Sequence, residues 1–287
     1  MPKAPPSGAA DRSPTAVAGT GISVSRSLSD ATGALAAAGC DTPRLDAEVL
    51  LSSVLGVGRE RLVIDAGLEL SAPDLERFAA VVARREAREP VAYIVGRKAF
   101  RRISLSVDRR VLIPRPETEL LVEVGLSIAR GGRVADVGTG SGAVALALKE
   151  ERPDLTVVGV DVSVGALEVA RANALALALD VEFVRADLLD GVPGPFDAVL
   201  ANLPYVAEGS GLPPEIERYE PAVALFGGPD GMDPVRRLLP MVADVPLVAL
   251  EVGLGEAVAS LVARAGFQSV EILRDLADHE RVVVGRR

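Results

Sequence analysis

The sequence has little of several residue types, and each shortage excludes a class of protein. It contains one cysteine in 287 residues, so it can form neither an intramolecular disulfide nor a cysteine metal site, and we expect no metal centre. No apolar run reaches the roughly 18–20 residues that a membrane span needs. The N-terminal segment lacks the apolar stretch of a secretory signal. These absences favour a cytoplasmic protein with no membrane partner.

Positive charge is also scarce in the chain as a whole. There are 31 Lys and Arg against 40 Asp and Glu, a formal net charge of -9. Proteins that bind nucleic-acid backbones are usually basic, because their positive charges neutralise the phosphates. Since this chain is acidic, we expect no direct nucleic-acid partner.

The charge is unevenly distributed along the chain. Residues 77–115 hold eleven basic and three acidic residues, a local net charge of +8. This basic strip is either a solvated helix face with a charged hairpin, or a surface that docks an acidic region of a partner protein. Its basic members are Arg77, Arg84, Arg85, Arg88, Arg97, Lys98, Arg101, Arg102, Arg109, Arg110 and Arg115.

Composition and periodicity divide the chain into four parts. Residues 1–25 are rich in Pro, Ala, Gly and Ser and predict a disordered tail. Residues 26–89 have a helical hydrophobic period and predict a small helical domain. Residues 90–114 predict a linker with a β-hairpin, and residues 115–287 alternate strands with helices.

This alternation predicts an α/β domain with a doubly wound, largely parallel sheet. The seven predicted strands are Val134–Val137, Thr156–Val160, Val181–Val184, Ala198–Ala201, Pro246–Leu250, Ser269–Leu273 and Arg281–Val284. Four helices are predicted between them or before them, at Thr118–Ala129, Ala143–Glu150, Ser163–Ala178 and Glu256–Ala265.

A glycine-rich turn follows the first of these strands. It reads Gly138-Thr139-Gly140-Ser141-Gly142 and leads directly into a helix. Glycine lets the backbone turn sharply and lets a ligand approach where a Cβ would collide. The spacing differs from the dinucleotide G-x-G-x-x-G pattern. Asp136, just before the turn, suits a ligand that carries an ammonium group.

Two further acids follow the next two strands. Asp161 can accept hydrogen bonds from both hydroxyls of a ribose. Asp187 can accept from an adenine amino group, with Leu188 as a wall for the ring. Each acid alone could be a helix cap or a solvated charge. Because the carboxyl ends of parallel strands meet in one crevice, the three acids together predict a nucleoside-like ligand site.

This arrangement resembles the class I S-adenosylmethionine-dependent methyltransferases, whose domain is Rossmann-like. The resemblance implies that S-adenosylmethionine is the cofactor and that the glycine-rich turn lies around its methionine part. It also implies a seven-stranded sheet whose last strand is antiparallel. The small N-terminal helical bundle predicted above would precede this domain in the chain.

The tetrapeptide Asn202-Leu203-Pro204-Tyr205 follows the fourth strand and matches a signature of methyltransferases that modify planar NH2 groups. Such a nitrogen is a poor nucleophile because its lone pair is delocalised. The Asn202 side-chain carbonyl and the Leu203 backbone carbonyl can accept its two N–H bonds and orient it. Pro204 would hold the turn and Tyr205 would stack on the substrate. Glutamine amide, adenine and cytosine all fit this geometry.

Residues 27–287 resemble one family, the N5-glutamine methyltransferases of peptide chain release factors. The most specific string is IPRPETE at residues 113–119. Other marks are PVAYIVG at 90–96, Phe100, EP at 220–221, ALFGGPDG at 224–231, LEVG at 250–253 and ERVVVGR at 280–286.

The resemblance implies methylation of the glutamine in the Gly-Gly-Gln motif of release factors, and hence a role in translation termination. The helical domain would recognise this protein substrate, and the enzyme would act as a monomer. Phe100 and Glu119 would lie near the cofactor.

Leu203 departs from the family, which usually has proline there. The same tetrapeptide occurs in rRNA adenine methyltransferases, so methylation of adenine N6 in RNA or DNA stays an alternative. A second alternative is the sister enzyme that methylates a glutamine of a large-subunit ribosomal protein. A third is a cofactor-binding regulator that no longer transfers methyl groups.

Overall fold

The computed structural model describes residues 21–287, which form two compact units that meet between Val95 and Gly96. This boundary differs from the predicted linker at 90–114. A short helix after Pro90 adds to the first unit, and the hairpin belongs to the second. Residues 1–20 of the predicted tail lie outside the described residues. The rest of the tail prediction was too long, because the first helix begins at Val24.

The described part of the first unit is built from helices. Ser23 starts the first helix by accepting a hydrogen bond from the Arg26 amide at 3.2 Å. Leucines such as Leu35, Leu50 and Leu51 are fully buried between the helices. The helices are α1 Val24–Ala37, α2 Pro43–Leu55, α3 Arg59–Ile64, α4 Ala72–Glu86 and α5 Val91–Val95.

The second unit opens with an antiparallel hairpin, β1 Arg97–Phe100 and β2 Ile103–Ser106. A seven-stranded sheet follows, and its strand order is β5-β4-β3-β6-β7-β9-β8. The strands are β3 Arg133–Val137, β4 Thr156–Asp161, β5 Glu182–Arg185, β6 Ala198–Asn202, β7 Leu247–Glu251, β8 Ser269–Arg274 and β9 Glu280–Arg286. β9 alone runs in the direction opposite to the other six strands, so the predicted fold class is confirmed.

Helices cover both faces of this sheet. Successive residues of β6 alternate between two apolar layers: Ala198 and Leu200 belong to one, and Val199 and Ala201 to the other. The helices are α6 Glu119–Leu126, α7 Ala143–Glu151, α8 Val164–Leu177, α9 Pro214–Glu217, α10 Asp233–Met241 and α11 Gly255–Arg264. Across residues 21–287, every helix is too short or too polar to cross a bilayer.

The strand order reverses at β3. The chain proceeds from β3 to β4 and β5 on one side, then returns to place β6 on the other side of β3. In open α/β sheets such a switch point leaves a crevice at the carboxyl ends of the strands. The glycine-rich turn follows β3 and the Asn202 turn follows β6, so both lie at this crevice.

Candidate active site

The crevice contains a cavity of about 240 Å³, and eleven of the predicted site residues line it. They are Asp136, Gly138, Thr139, Gly140, Ser141, Asp161, Asp187, Leu188, Asn202, Leu203 and Pro204. The predicted cofactor turn and the predicted acceptor turn therefore share one cavity.

Glycine is required at two positions of the turn for different reasons. Gly138 has a φ of +76°, and a Cβ there would lie 3.1 Å from the backbone oxygen of Asn202. This close approach brings the turn after β3 against the turn after β6. Gly142 has a φ of +82°, and its Cβ would lie 2.9 Å from Leu146. Gly142 does not line the cavity, and instead it begins α7.

Asp136 joins the turn to the following helix. Its Oδ2 accepts hydrogen bonds from the Thr139 hydroxyl at 2.6 Å and the Ala145 amide at 3.1 Å. Burial raises the pKa of this carboxyl to about 6, and the two donors oppose that rise. Asp136 thus holds the turn in shape while also bordering the cavity.

Asp161 is held by two backbone amides at the end of β4. Its Oδ2 accepts from Gly140 and its Oδ1 from Ser163, both at 2.9 Å. Burial raises the pKa of this carboxyl. The carboxylate is therefore pre-oriented at the cavity edge, where it can accept hydrogen bonds from a ligand's hydroxyls.

Asp187 has a partner that sequence reasoning did not identify. Arg237 of α10 lies 2.5 Å from its carboxylate, and both side chains are about half exposed. Arg237 also lines the cavity, as does the buried Leu188. No motif marks Arg237, so only the fold brings it to this acid.

Asn202 and its turn form the other wall. The Asn202 amide nitrogen donates a hydrogen bond to the Thr118 hydroxyl at 3.2 Å. Tyr205 does not line the cavity, and its ring lies against Gly253 after β7. Burial raises the pKa of the Tyr205 hydroxyl, and the negative charge of Glu251 raises it further.

Phe100 and Glu119 are not brought to the cavity wall. Phe100 is buried in the apolar layer that the hairpin shares with the sheet, because its strand alternation turns it inward. The Glu119 carboxylate accepts a hydrogen bond from the Arg101 amide at 3.2 Å and so anchors the hairpin turn. Their place near the cofactor stays a prediction from the family resemblance.

Two segments that sequence reasoning did not assign to the site complete its wall. One is residues 109–118, just before α6, and the other is residues 219–226, after α9. They are tied by an Arg115–Glu220 ion pair at 2.6 Å and by Arg109, which stacks 4.6 Å from the centre of the Tyr219 ring. Their lining residues are Arg110, Val111, Leu112, Pro114 and Thr118, then Pro221, Val223, Ala224 and Phe226. The IPRPETE string could have indicated that the first segment belongs to the site, since it contains Pro114, Arg115 and Thr118.

The basic strip is largely paired within the protein. Arg85 forms a buried ion pair with Asp46 at 2.7 Å. Arg101 binds Glu151 and Glu123, and its side chain is mostly buried. Arg84, Arg110 and Arg115 also have carboxylate partners, at Glu89, Asp108 and Glu220. Glu89 and Asp108 are already counted in the +8, whereas Asp46, Glu123, Glu151 and Glu220 lie outside the segment and offset about half of it.

A switch-point sheet with one antiparallel strand, a glycine-rich turn and an acid after β4 together define a class I methyltransferase domain. The model of the methyltransferase small domain matches residues 116–213, and that of the PrmC N-terminal domain matches residues 27–96. Among solved structures, a methyltransferase from Pyrococcus furiosus shares this fold with a TM-score of 0.50 and 18% identity, covering 72% of this chain and 96% of that one.

Curated relatives define the family more closely. A release factor glutamine methyltransferase from Rhodospirillum rubrum is 40% identical over 265 residues, 88% of this chain and 82% of the relative. One from Moorella thermoacetica is 38% identical over 281 residues, 93% of this chain and 99% of the relative. The chain belongs to the family of release factor glutamine methyltransferases.

Proposed function

We propose that this protein transfers a methyl group from S-adenosylmethionine to the side-chain amide N5 of the glutamine in the Gly-Gly-Gln motif of peptide chain release factors. One observation carries the chemistry: the Asn202–Pro204 turn and the glycine-rich turn line the same cavity. Family membership supports the substrate. This activity would act on translation termination in the cytoplasm.

The cavity residues fit the proposed cofactor. Gly138 leaves room for close approach, and Asp161 presents a carboxylate already held by two amides. We assign Asp161 to the ribose, Leu188 to a face of the adenine and Asp136 to the ammonium end. Asp187 would accept from the adenine amino group beside Arg237. When bound, S-adenosylmethionine supplies an electrophilic methyl group on a sulfonium sulfur.

The acceptor amide would be oriented by two carbonyl groups of the Asn202 turn. The Asn202 side-chain oxygen would accept one N–H of the substrate amide, and the Leu203 backbone oxygen would accept the other. Leu203 can replace proline because only its backbone carbonyl takes part. Holding the nitrogen at the cavity would lower the entropic cost of reaction. The N–CH3 bond would form as the S–CH3 bond of the cofactor breaks, and the nitrogen would release one proton to water during or after transfer. No strong base is needed, because the nitrogen becomes acidic as it gains the methyl group.

Methyl transfer to a release factor tests the proposal. The protein is incubated with methyl-labelled S-adenosylmethionine and a recombinant release factor, with a Gly-Gly-Ala variant of that factor as control. We expect label on the wild-type factor alone. Equal label on both factors, or none on either, would contradict the assignment. Label on a large-subunit ribosomal protein instead would support the sister activity.

A further inference from the structure

Thr118 lies between the acceptor turn and a buried carboxyl. It ends the short 3₁₀ helix Pro116–Thr118, lines the cavity, and is only 4% exposed. Its hydroxyl oxygen accepts the hydrogen bond that Asn202 donates through its amide nitrogen at 3.2 Å. The side chain that presents the proposed acceptor carbonyl therefore has its opposite end bound to Thr118.

Glu251 lies behind this pair, at the end of the neighbouring strand. It is opposite Asn202 in the β6–β7 register and is 2% exposed. Neither of its carboxylate oxygens has a formed hydrogen bond within residues 21–287. Burial raises the pKa of Glu251, and the nearby Thr118 hydroxyl opposes that rise. Glu251 does not line the cavity, so we assign it no contact with ligands.

The order of hydrogen-bond donors and acceptors along Asn202, Thr118 and Glu251 decides which way the Asn202 amide faces. The two ends of an amide have nearly the same shape, but only the oxygen accepts hydrogen bonds. A threonine hydroxyl has a single proton. If that proton points to Glu251, the free lone pairs of the hydroxyl can accept only the NH2 end of Asn202. The Asn202 carbonyl oxygen is then directed away from Thr118.

We propose that Thr118, backed by Glu251, is a positioning residue that holds the Asn202 amide with its carbonyl oxygen toward the substrate nitrogen. This inference rests on the proposed function, because it specifies how the acceptor amide is oriented. A buried hydroxyl that acts only through Asn202 affects methyl transfer more than cofactor binding.

The experiment compares Thr118→Val with Thr118→Ser in the full chain. Valine keeps the shape and removes the hydroxyl, whereas serine keeps the hydroxyl. We expect kcat for release-factor methylation to fall by about tenfold or more in Thr118→Val and to stay within about threefold in Thr118→Ser. The Kd of S-adenosylmethionine, measured by calorimetry, should change by less than about twofold in both variants.

Thr32→Val is the matched control, because the Thr32 hydroxyl donates to the Leu28 carbonyl of its own helix and has no other hydrogen bond among residues 21–287. It should keep the wild-type kcat. Thermal unfolding shows whether each variant is folded. If Thr118→Val is not, Thr118→Ala is compared with Thr118→Ser in its place.

Three outcomes would overturn the inference: an unchanged kcat without the hydroxyl, an equal loss in the serine variant, or a loss of cofactor affinity that accounts for the loss of rate. A wild-type protein that methylates no glutamine contradicts the proposed function itself and is recognised before any variant is compared.

Discussion

Asn202 is the residue on which the proposed chemistry depends most directly. Replacing it with alanine removes the carbonyl that orients the acceptor amide and leaves the backbone turn beside Gly138 in place. We expect Asn202→Ala to lower kcat by about a hundredfold, as expected when a reacting group loses its orientation. The Kd of S-adenosylmethionine should change little when measured by calorimetry. A collapse of cofactor affinity with a normal rate at saturation would place Asn202 in the cofactor site instead.

Glu251 links the site to the pH dependence of stability. Burial raises its pKa from 4.5 to about 7, an effect strengthened by Glu117 and opposed by the nearby Thr118, Arg281 and Arg115. Between pH 4.5 and about pH 7, the folded state therefore binds more protons than the unfolded state. The free energy of unfolding then falls as pH rises.

Glu251→Gln cannot titrate and should lack this dependence. Relative to the variant, the wild type should lose up to about 3 kcal/mol of unfolding free energy between pH 4.5 and pH 8. Urea denaturation at both pH values measures this difference. Asp136, whose pKa is raised to about 6, titrates in both proteins, so its contribution to the pH dependence of unfolding cancels in the comparison. Parallel pH dependences would show that Glu251 is not a buried, titrating carboxyl.

Residue roles could be predicted from the sequence where a motif ties them to the end of a strand. Asp161 and Asn202 end β4 and β6, and both reach the cavity. Phe100 and Glu119 are expected near the cofactor only from the family resemblance, and neither is among the residues that line the cavity. Arg237 could not be predicted at all, since it comes from a distant helix and meets Asp187 only after folding.

At the scale of elements, the central strands β3, β4, β6 and β7 were predictable because each is a short, mostly buried, β-branched or apolar run. The predicted Val134–Val137 and Thr156–Val160 differ from β3 and β4 by one residue. Helix α10 was missed because it contains two prolines, Pro234 and Pro240, which usually oppose a helix interior. Pro234 occupies the first turn, where a missing N–H costs little.

The Arg115–Glu220 ion pair ties two segments 105 residues apart, and both residues belong to strings typical of the family, at 113–119 and 220–221. Glu220 is buried, which raises its pKa, and one of its oxygens has no partner in residues 21–287. Removing the arginine therefore leaves a buried carboxyl without compensation.

We expect Arg115→Met to lower the free energy of unfolding by about 2–4 kcal/mol near neutral pH. Arg115→Met with Glu220→Gln should recover part of that loss, because no unpaired charge remains buried. Chemical denaturation of the four proteins in this cycle measures the coupling. Additive effects of the two substitutions would mean that the pair contributes nothing beyond its separate side chains.

For the whole molecule, the ion pairs reduce the number of basic residues in the strip that could bind a partner. The chain is acidic overall, yet the arginines of the basic strip that form no salt bridge could contact an acidic surface of a partner. On the hairpin, Arg97 and Arg102 are exposed, and within residues 21–287 neither has a salt bridge, although the charge of Arg102 lowers the pKa of Glu151. Arg101 is a poor probe of docking, because it holds Glu123 and Glu151 and its loss would disturb the hairpin.

A docking role for the strip predicts that charge reversal at its exposed arginines weakens the interaction with an acidic protein surface. Arg97→Glu with Arg102→Glu should raise KM for a release factor by about three- to tenfold at low salt, with kcat little changed. The difference should shrink as salt is raised, because screening removes the attraction between exposed charges. Arg130→Glu with Arg264→Glu makes the same change in net charge at exposed positions outside the strip and should leave KM near the wild-type value. Equal effects of the two double variants would mean that only the total charge matters, and the strip would then be a solvated surface.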